Sequence, residues 1–188
     1  MSKKKDNIIV GVVGLCGAGK SEATQVFLDN DFKRVYFGDV TFDEMKRRNL
    51  EVNPENERMV REELRKTGDI AIYAKKIAPK IKELYDAGHN IVLESLYAWS
   101  EYKYLKEIYG DKLLLLAIVT DTAVRKERLT HRPYRPLTNE EVDTRDYAQI
   151  EKLEQGGPIA KADHFVVNNT TKEYMIGEVQ KFIDSITK

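Results

Sequence analysis

The hydrophobic positions along this chain fall into short continuous runs separated by longer stretches of helical spacing. Asn7 to Val13 (NIIVGVV) is almost wholly apolar, as a strand buried on both faces must be, and it runs into Gly14. Lys20 to Asp29 reads as a helix with Ala23, Val26 and Phe27 on one face. Phe32 to Phe37 is a second, weaker strand, and Val40 to about Leu50 a charged helix. Asn53 ahead of Pro54 marks a helix start, a capping side chain before a proline at the first helical position. Met59, Val60 and Leu64 follow at helical spacing. Gly68-Asp69 restarts a helix in which Ile70, Ala74, Ile77, Ile81 and Leu84 share a face as far as Gly88, with a kink expected at Pro79.

The second half keeps the rhythm. Asn90 to Glu94 and Lys112 to Thr120 are strands, with a helix near Tyr102 to Tyr109 between them and another from about Thr122 to Thr130. Arg132-Pro133-Tyr134-Arg135-Pro136 breaks the pattern. Thr138 to Leu153 is helical, Gly156-Gly157-Pro158 a turn, His164 to Val167 the last strand and Thr171 to Ile186 the closing helix. Apolar strands alternating with helices predict an α/β fold: a three-layer, doubly wound, parallel five-stranded sheet with its ligands at the carboxyl ends of the strands. A single domain over residues 1–188 is expected. Two segments exceed what the sheet needs: a helical insert over about residues 40–88, suited to bind an acceptor, and a short lid over about 130–140.

Composition narrows the function. A chain of 188 residues can bury roughly 70% of its unfolded surface and needs no staple to fold. Lysine plus arginine (31) balances aspartate plus glutamate (31), which argues against a nucleic-acid partner. Cys16 is the one cysteine, so no internal disulfide can form and a reducing compartment fits. No apolar run approaches the roughly 20 residues of a membrane span, and the lysines at Met1 to Lys5 read as a solvated tail. A cytoplasmic monomer or small homo-oligomer is expected.

One motif carries the chemistry. Gly14-Leu15-Cys16-Gly17-Ala18-Gly19-Lys20-Ser21 is Gly-x-x-x-x-Gly-Lys-Ser, placed directly after a strand and before a helix. Such a loop turns backbone N–H groups from Cys16, Gly17, Ala18, Gly19 and on to Glu22 toward phosphate oxygens, and the helix N-terminus adds partial positive charge. Lys20 reaches the β- and γ-phosphates and the Ser21 hydroxyl ligates magnesium, so ATP and Mg2+ are the expected cofactors. Cys16 contributes its backbone.

Further candidates surround the loop. Glu94 ends an apolar strand, where a carboxylate either serves the magnesium shell or caps a following helix at Ser95. Asp39 ends the second strand and either takes or orients the acceptor's hydroxyl proton or caps the next helix. Arg125 and Arg128 lie on one helix, Arg132 and Arg135 flank the prolines, and Arg145 follows. Guanidinium groups on a closing lid stabilise the charge spread over a transferring phosphoryl group, and Arg128, Arg132 and Arg135 are the candidates. Tyr97, Trp99, Tyr102 and Tyr104 offer either a stacking surface for a ring or core packing. His131 and His164 have no spaced partner and read as structural.

The GLCGAGKS loop, Gly38-Asp39, the arginines of RLTHR and the ADHFVVNN stretch together resemble the adenylate-kinase-like superfamily. Within it the chain is similar to the dephospho-CoA kinases, and through GDVTFDEMKRRNLEVNPENERMVREELR still more to dephospho-CoA-kinase-like proteins common in archaea. The resemblance implies that Arg145 and Gln149 match a lid-helix arginine and glutamine, and that Asn168 and Asn169 stand in the turn contacting adenine. The chain departs from the pattern too. Phe37-Gly38-Asp39 replaces Asp-x-Asp, and Glu94 and Tyr97 stand where relatives carry an aspartate and an arginine that grips an acceptor phosphate.

The function expected is ATP- and magnesium-dependent transfer of a γ-phosphoryl group to a small nucleotide-like acceptor, dephospho-CoA or a nucleoside monophosphate. Two alternatives stand beside it: a nucleotide hydrolase acting as a switch, and a kinase for a modified nucleoside in DNA. A guanine switch would want Asn-Lys-x-Asp, which the chain lacks.

Overall fold

The computed structural model describes residues 7–66 and 68–188; the Met1 to Lys5 lysine run lies outside them. Strands β1 (Ile9–Val13), β2 (Lys33–Tyr36), β3 (Ile91–Glu94), β4 (Leu113–Val119) and β5 (His164–Val167) form one sheet in the order β2-β3-β1-β4-β5. Every pairing is parallel, with Ile9 opposite both Ile91 and Leu113. β1 lies at the centre and is buried at every position.

Alternation along the strands sorts the core into two layers. Ile9, Val13, Ile91, Leu93, Leu113 and Leu115 face one side. There they meet helices α2 (Asp39–Arg47), α3 (Pro54–Lys66), α4 (Ile72–Asp86) and α5 (Trp99–Tyr109). Val10, Val12, Val92, Leu116 and Ile118 face the other, against α1 (Lys20–Asp29) and α9 (Lys172–Thr187). Phe27 of α1 is fully buried and makes edge contacts with Phe32 and Phe182, ring centroids 5.0 and 6.4 Å away. Truncating it to alanine would cost about 3–5 kcal/mol and loosen the helix that carries the glycine loop.

Helices α6 (Thr122–His131), α7 (Asn139–Tyr147) and α8 (Gly156–Ala160) fill the connection from β4 to β5. Thr138 caps α7, accepting the Glu141 N–H at 3.2 Å while Glu141 accepts the Thr138 N–H at 2.7 Å. The helical reading of Thr138 to Leu153 is met by α7 and then a π-helical turn over Ala148–Lys152.

Several local expectations are corrected. The turn expected at Gly156-Gly157-Pro158 is the helix α8, where proline is tolerated because it lies in the first turn. The indole of Trp99 packs on Gly157 so closely that a Cβ there would lie 2.8 Å from the ring. α4 begins at Ile72 rather than at Asp69, whose carboxylate accepts the Ala71 N–H at 3.1 Å, and Ile70 is left exposed ahead of it. As expected, the helix continues past Pro79, which faces solvent. No helix starts at Ser95; α5 starts at Trp99, so Glu94 caps nothing.

Candidate nucleotide-binding site

The glycine loop leaves β1 at Gly14 and enters α1 at Lys20, at the carboxyl edge of the sheet. A loop binds anions through its N–H groups only if its carbonyls point away, and each carbonyl needs a partner elsewhere. Four carbonyls are held by side chains. Gln155 Nε2 donates to Gly14 O at 2.9 Å, Lys20 Nζ to Leu15 O at 3.0 Å and Arg125 Nη1 to Cys16 O at 3.1 Å. Ala18 O accepts from both Asn168 Nδ2 (2.8 Å) and Thr120 Oγ1 (3.1 Å). Gln149 Oε1 accepts the Cys16 N–H at 3.3 Å, and Arg145 Nη1 lies 3.6 Å from Cys16 Sγ. Gly19 must be glycine: its φ is +102°, and a Cβ there would lie 2.4 Å from Asn168 Nδ2.

Beside the loop lies a cavity of about 350 Å³ lined by Cys16, Gly17, Gly19, Lys20, Ser21, Glu22, Glu94, Ser95, Tyr97, Arg128, Leu129 and Arg132. A second cavity, of about 280 Å³, shares Gly17, Gly19, Glu22 and Arg128 and adds Asn168, Lys172 and Met175. Arg128 stands in the wall between them with no side-chain hydrogen bond among the described residues. Glu22 pairs with Lys172, and Asn169 accepts the Asp121 N–H at 2.9 Å. Asn168 Oδ1 is buried without a partner.

Burial lowers the Lys20 pKa from 10.5 to about 8, and nearby Arg125 adds to the effect. An ammonium so desolvated interacts strongly with whatever anion replaces its water. Tyr97 lies on its other side, ring centroid 5.8 Å from Nζ, and donates its hydroxyl to Ser95 Oγ at 3.0 Å. Ser95 carries a φ of +67°, a left-handed backbone uncommon for a non-glycine residue, directly after Glu94.

The expected residues divide. Lys20, Ser21, Glu22, Glu94, Arg128 and Arg132 line one cavity, and Asn168 the adjoining one. Asp39 and Arg135 line neither. Asp39 starts α2 without capping it and pairs with Lys80 at 2.8 Å. Arg135 stacks its guanidinium on Tyr134, 5.1 Å from the ring centroid. Of the aromatic cluster only Tyr97 reaches the site. Trp99 stacks on Tyr102 at 5.3 Å, and both join the core with Tyr104. His164 stacks on Phe182 at 5.0 Å.

Arg125, Asp146, Thr120 and Gln155 were not picked out as loop supports. Arg125 did carry a signal: it sits four residues before buried Leu129, on the inner face of α6. A charge there needs a buried partner, and Asp146 provides it. Gln155 carried no such signal.

The sheet order, the loop between first strand and first helix and the side chains around it define a P-loop protein of kinase-like fold. A family model described as an AAA domain (AAA_18) matches residues 10–152. The UPF0200 protein TK1334 of Thermococcus kodakarensis is 30% identical over 182 residues, 95% of this chain and 98% of that protein. The chain therefore belongs to the AAA-domain family, alongside these archaeal UPF0200 relatives. Among solved structures, TT1252 from Thermus thermophilus superposes with a TM-score of 0.70 at 16% identity, covering 98% of this chain and 100% of that one. Dephospho-CoA kinase from Campylobacter jejuni gives 0.56 at 15% identity, covering 98% of each. The superfamily resemblance read from the sequence is thus matched in fold. No helix among the described residues is long and apolar enough to cross a membrane.

Proposed function

We propose that the protein is an ATP- and magnesium-dependent phosphotransferase acting on a small nucleotide-like acceptor, in the cytoplasm, as a monomer or small homo-oligomer. The observation that carries this reading is the glycine loop whose carbonyls are tied back by Gln155, Lys20, Arg125, Asn168 and Thr120. Apart from the N–H of Cys16, accepted by Gln149, and that of Ala18, accepted by the Leu15 carbonyl, its N–H groups are left for phosphate oxygens, beside a cavity that also holds Lys20, Ser21, Glu94, Arg128 and Arg132.

In this reading the second cavity takes the base, with Asn168 and Arg128 around it and Asn169 next along the chain. Among the described residues no group of three or more histidine, cysteine or carboxylate side chains could hold a metal alone. Magnesium would arrive with the nucleotide, held by the Ser21 hydroxyl and by Glu94 through water, and would neutralise phosphate charge. The acceptor's hydroxyl oxygen bonds to the γ-phosphorus as the bond from that phosphorus to the ADP oxygen breaks. ADP leaves with the bonding electrons, and Asp39, released from its pair with Lys80 and brought up to the cavity, would orient the hydroxyl or take its proton. Arg128, Arg132 and Arg135 meet the equatorial oxygens as residues 130–140 close.

An acceptor panel tests this. ATP consumption is followed with dephospho-CoA, each nucleoside monophosphate and no acceptor. Acceptor-dependent ADP release with a matching phosphorylated product supports transfer. Slow hydrolysis indifferent to every acceptor would make the protein a nucleotide switch instead.

A further inference from the structure

Glu94, in the cavity wall, is paired with a residue that itself lines neither cavity. Its Oε2 lies 2.6 Å from Arg34 Nε on the edge strand β2. The Arg34 side chain is 47% exposed, and an ion pair that open contributes little to stability. Its construction is nevertheless specific. The guanidinium carbon sits 4.9 Å from the centroid of the Tyr36 ring. That ring in turn lies on Gly38, where a Cβ would come within 2.3 Å of it, so only glycine admits the arrangement. Tyr36 below and Glu94 at Nε fix the plane of the fork. Apart from Glu94, Arg34 has no ion-pair or hydrogen-bond partner among the described residues.

The other acids around Tyr36 are already neutralised. Asp39 is paired with Lys80 at 2.8 Å and Glu57 with Arg61 at 3.3 Å. Ser95 and Tyr97, both with hydroxyls, line the cavity next to Glu94. A planar fork held at one nitrogen and open along its other edge is built for two parallel bonds to one oxyanion.

We infer that Arg34 is the oxyanion clamp of the acceptor subsite, and that the acceptor carries a phosphate or carboxylate group besides the hydroxyl it phosphorylates. This rests on the phosphotransferase reading for the word acceptor; the clamp itself is measured separately.

Phenylglyoxal labelling of the unmodified protein tests the clamp, with Arg34 and Arg47 followed by peptide mass spectrometry. The glycine loop is first saturated with magnesium and a non-hydrolysable ATP analogue, so that added anions cannot occupy it. Inorganic phosphate, AMP, acetate and neutral adenosine are then compared. A phosphate site slows Arg34 labelling about fivefold at several times the dissociation constant, leaving exposed Arg47 unchanged. Protection by acetate and not by phosphate assigns a carboxylate acceptor instead. Equal Arg34 labelling under every addition overturns the clamp. Failure of the analogue to bind in calorimetry strikes the phosphotransferase reading, and phosphate protection of Arg34 is then read without it.

Discussion

Arg125 grips Asp146 through two hydrogen bonds, 2.9 and 2.6 Å long, and donates a third, of 3.1 Å, to the carbonyl of Cys16. The guanidinium is only 3% exposed. It ties α6 to α7 and both to the glycine loop, so the two arms of the proline-broken segment are anchored on the nucleotide site.

Removing one partner leaves a buried charge unmatched, so Arg125→Met costs about 3–5 kcal/mol of stability. Replacing both, as Arg125→Met with Asp146→Leu, restores much of that loss. The Cys16 carbonyl still lacks its donor in the double variant, and affinity for an ATP analogue stays down roughly tenfold, ~1.4 kcal/mol. Urea midpoints and calorimetry separate the two effects. Wild-type affinity in the double variant would mean that the bridge serves folding alone.

The layers of this fold were legible because burial on both faces leaves a plain trace: runs such as Ile9 to Val13 and Leu113 to Val119 admit little else. The glycine loop was legible because its N–H geometry demands glycines at fixed spacing. What holds the loop was not. Cys16 and Arg125 are 109 positions apart, and an arginine on a helix ordinarily reads as solvated. Trp99 and Gly157 show the same limit: residues typical of a turn became α8 because a distant indole covers them.

Glu101 makes stability depend on pH. It is 2% exposed and accepts the N–H groups of Tyr97 (3.1 Å) and Ala98 (2.9 Å), fixing the backbone that presents Tyr97 to the cavity. Burial raises its pKa from 4.5 to about 7, against the lowering effect of those two bonds. Between these values the folded state binds more protons than the unfolded one. Its contribution is therefore full below pH 4.5 and is lost as the pH rises through 7, a change of about 3 kcal/mol. Glu101→Gln keeps an acceptor oxygen and has no proton to lose. The unfolding free energy across this range should fall in wild type and stay level in the variant; parallel curves would remove Glu101 as the cause.

Lys20 should couple nucleotide binding to proton uptake. With its pKa lowered to about 8, the side chain is mostly neutral above that pH, yet phosphate needs the ammonium. Affinity for an ATP analogue should fall with rising pH above 8, by up to about tenfold per unit. Calorimetry at pH 9 in buffers of different ionisation enthalpy should register the proton taken up. Lys20→Met should bind weakly, show no such uptake and lose transfer by several kcal/mol of transition-state stabilisation, on the order of other electrostatic deletions. A wild-type profile flat from pH 7 to 9.5 would take Lys20 off the phosphates.

The segment Arg132 to Pro136 should act as the lid over bound nucleotide. Its turn is closed by its own arginines, with Arg132 Nε donating to Arg135 O at 2.6 Å and Arg135 in a left-handed conformation at φ +50°. Arg132 already lines the cavity, whereas Arg135 must travel to reach it. Lysine cannot reproduce the planar fork at either position. Arg132→Lys should therefore cut turnover about tenfold or more, ~1.4 kcal/mol, with ATP affinity nearly unchanged. Arg135→Lys should lose turnover only to the extent that closure delivers it. Tyr134 is 69% exposed between the two arginines and gives chymotrypsin a site inside the segment. An ATP analogue with the true acceptor should slow that cut, because closure buries the bond. Normal turnover in both lysine variants, with cleavage at Tyr134 indifferent to ligands, would make the segment a surface loop.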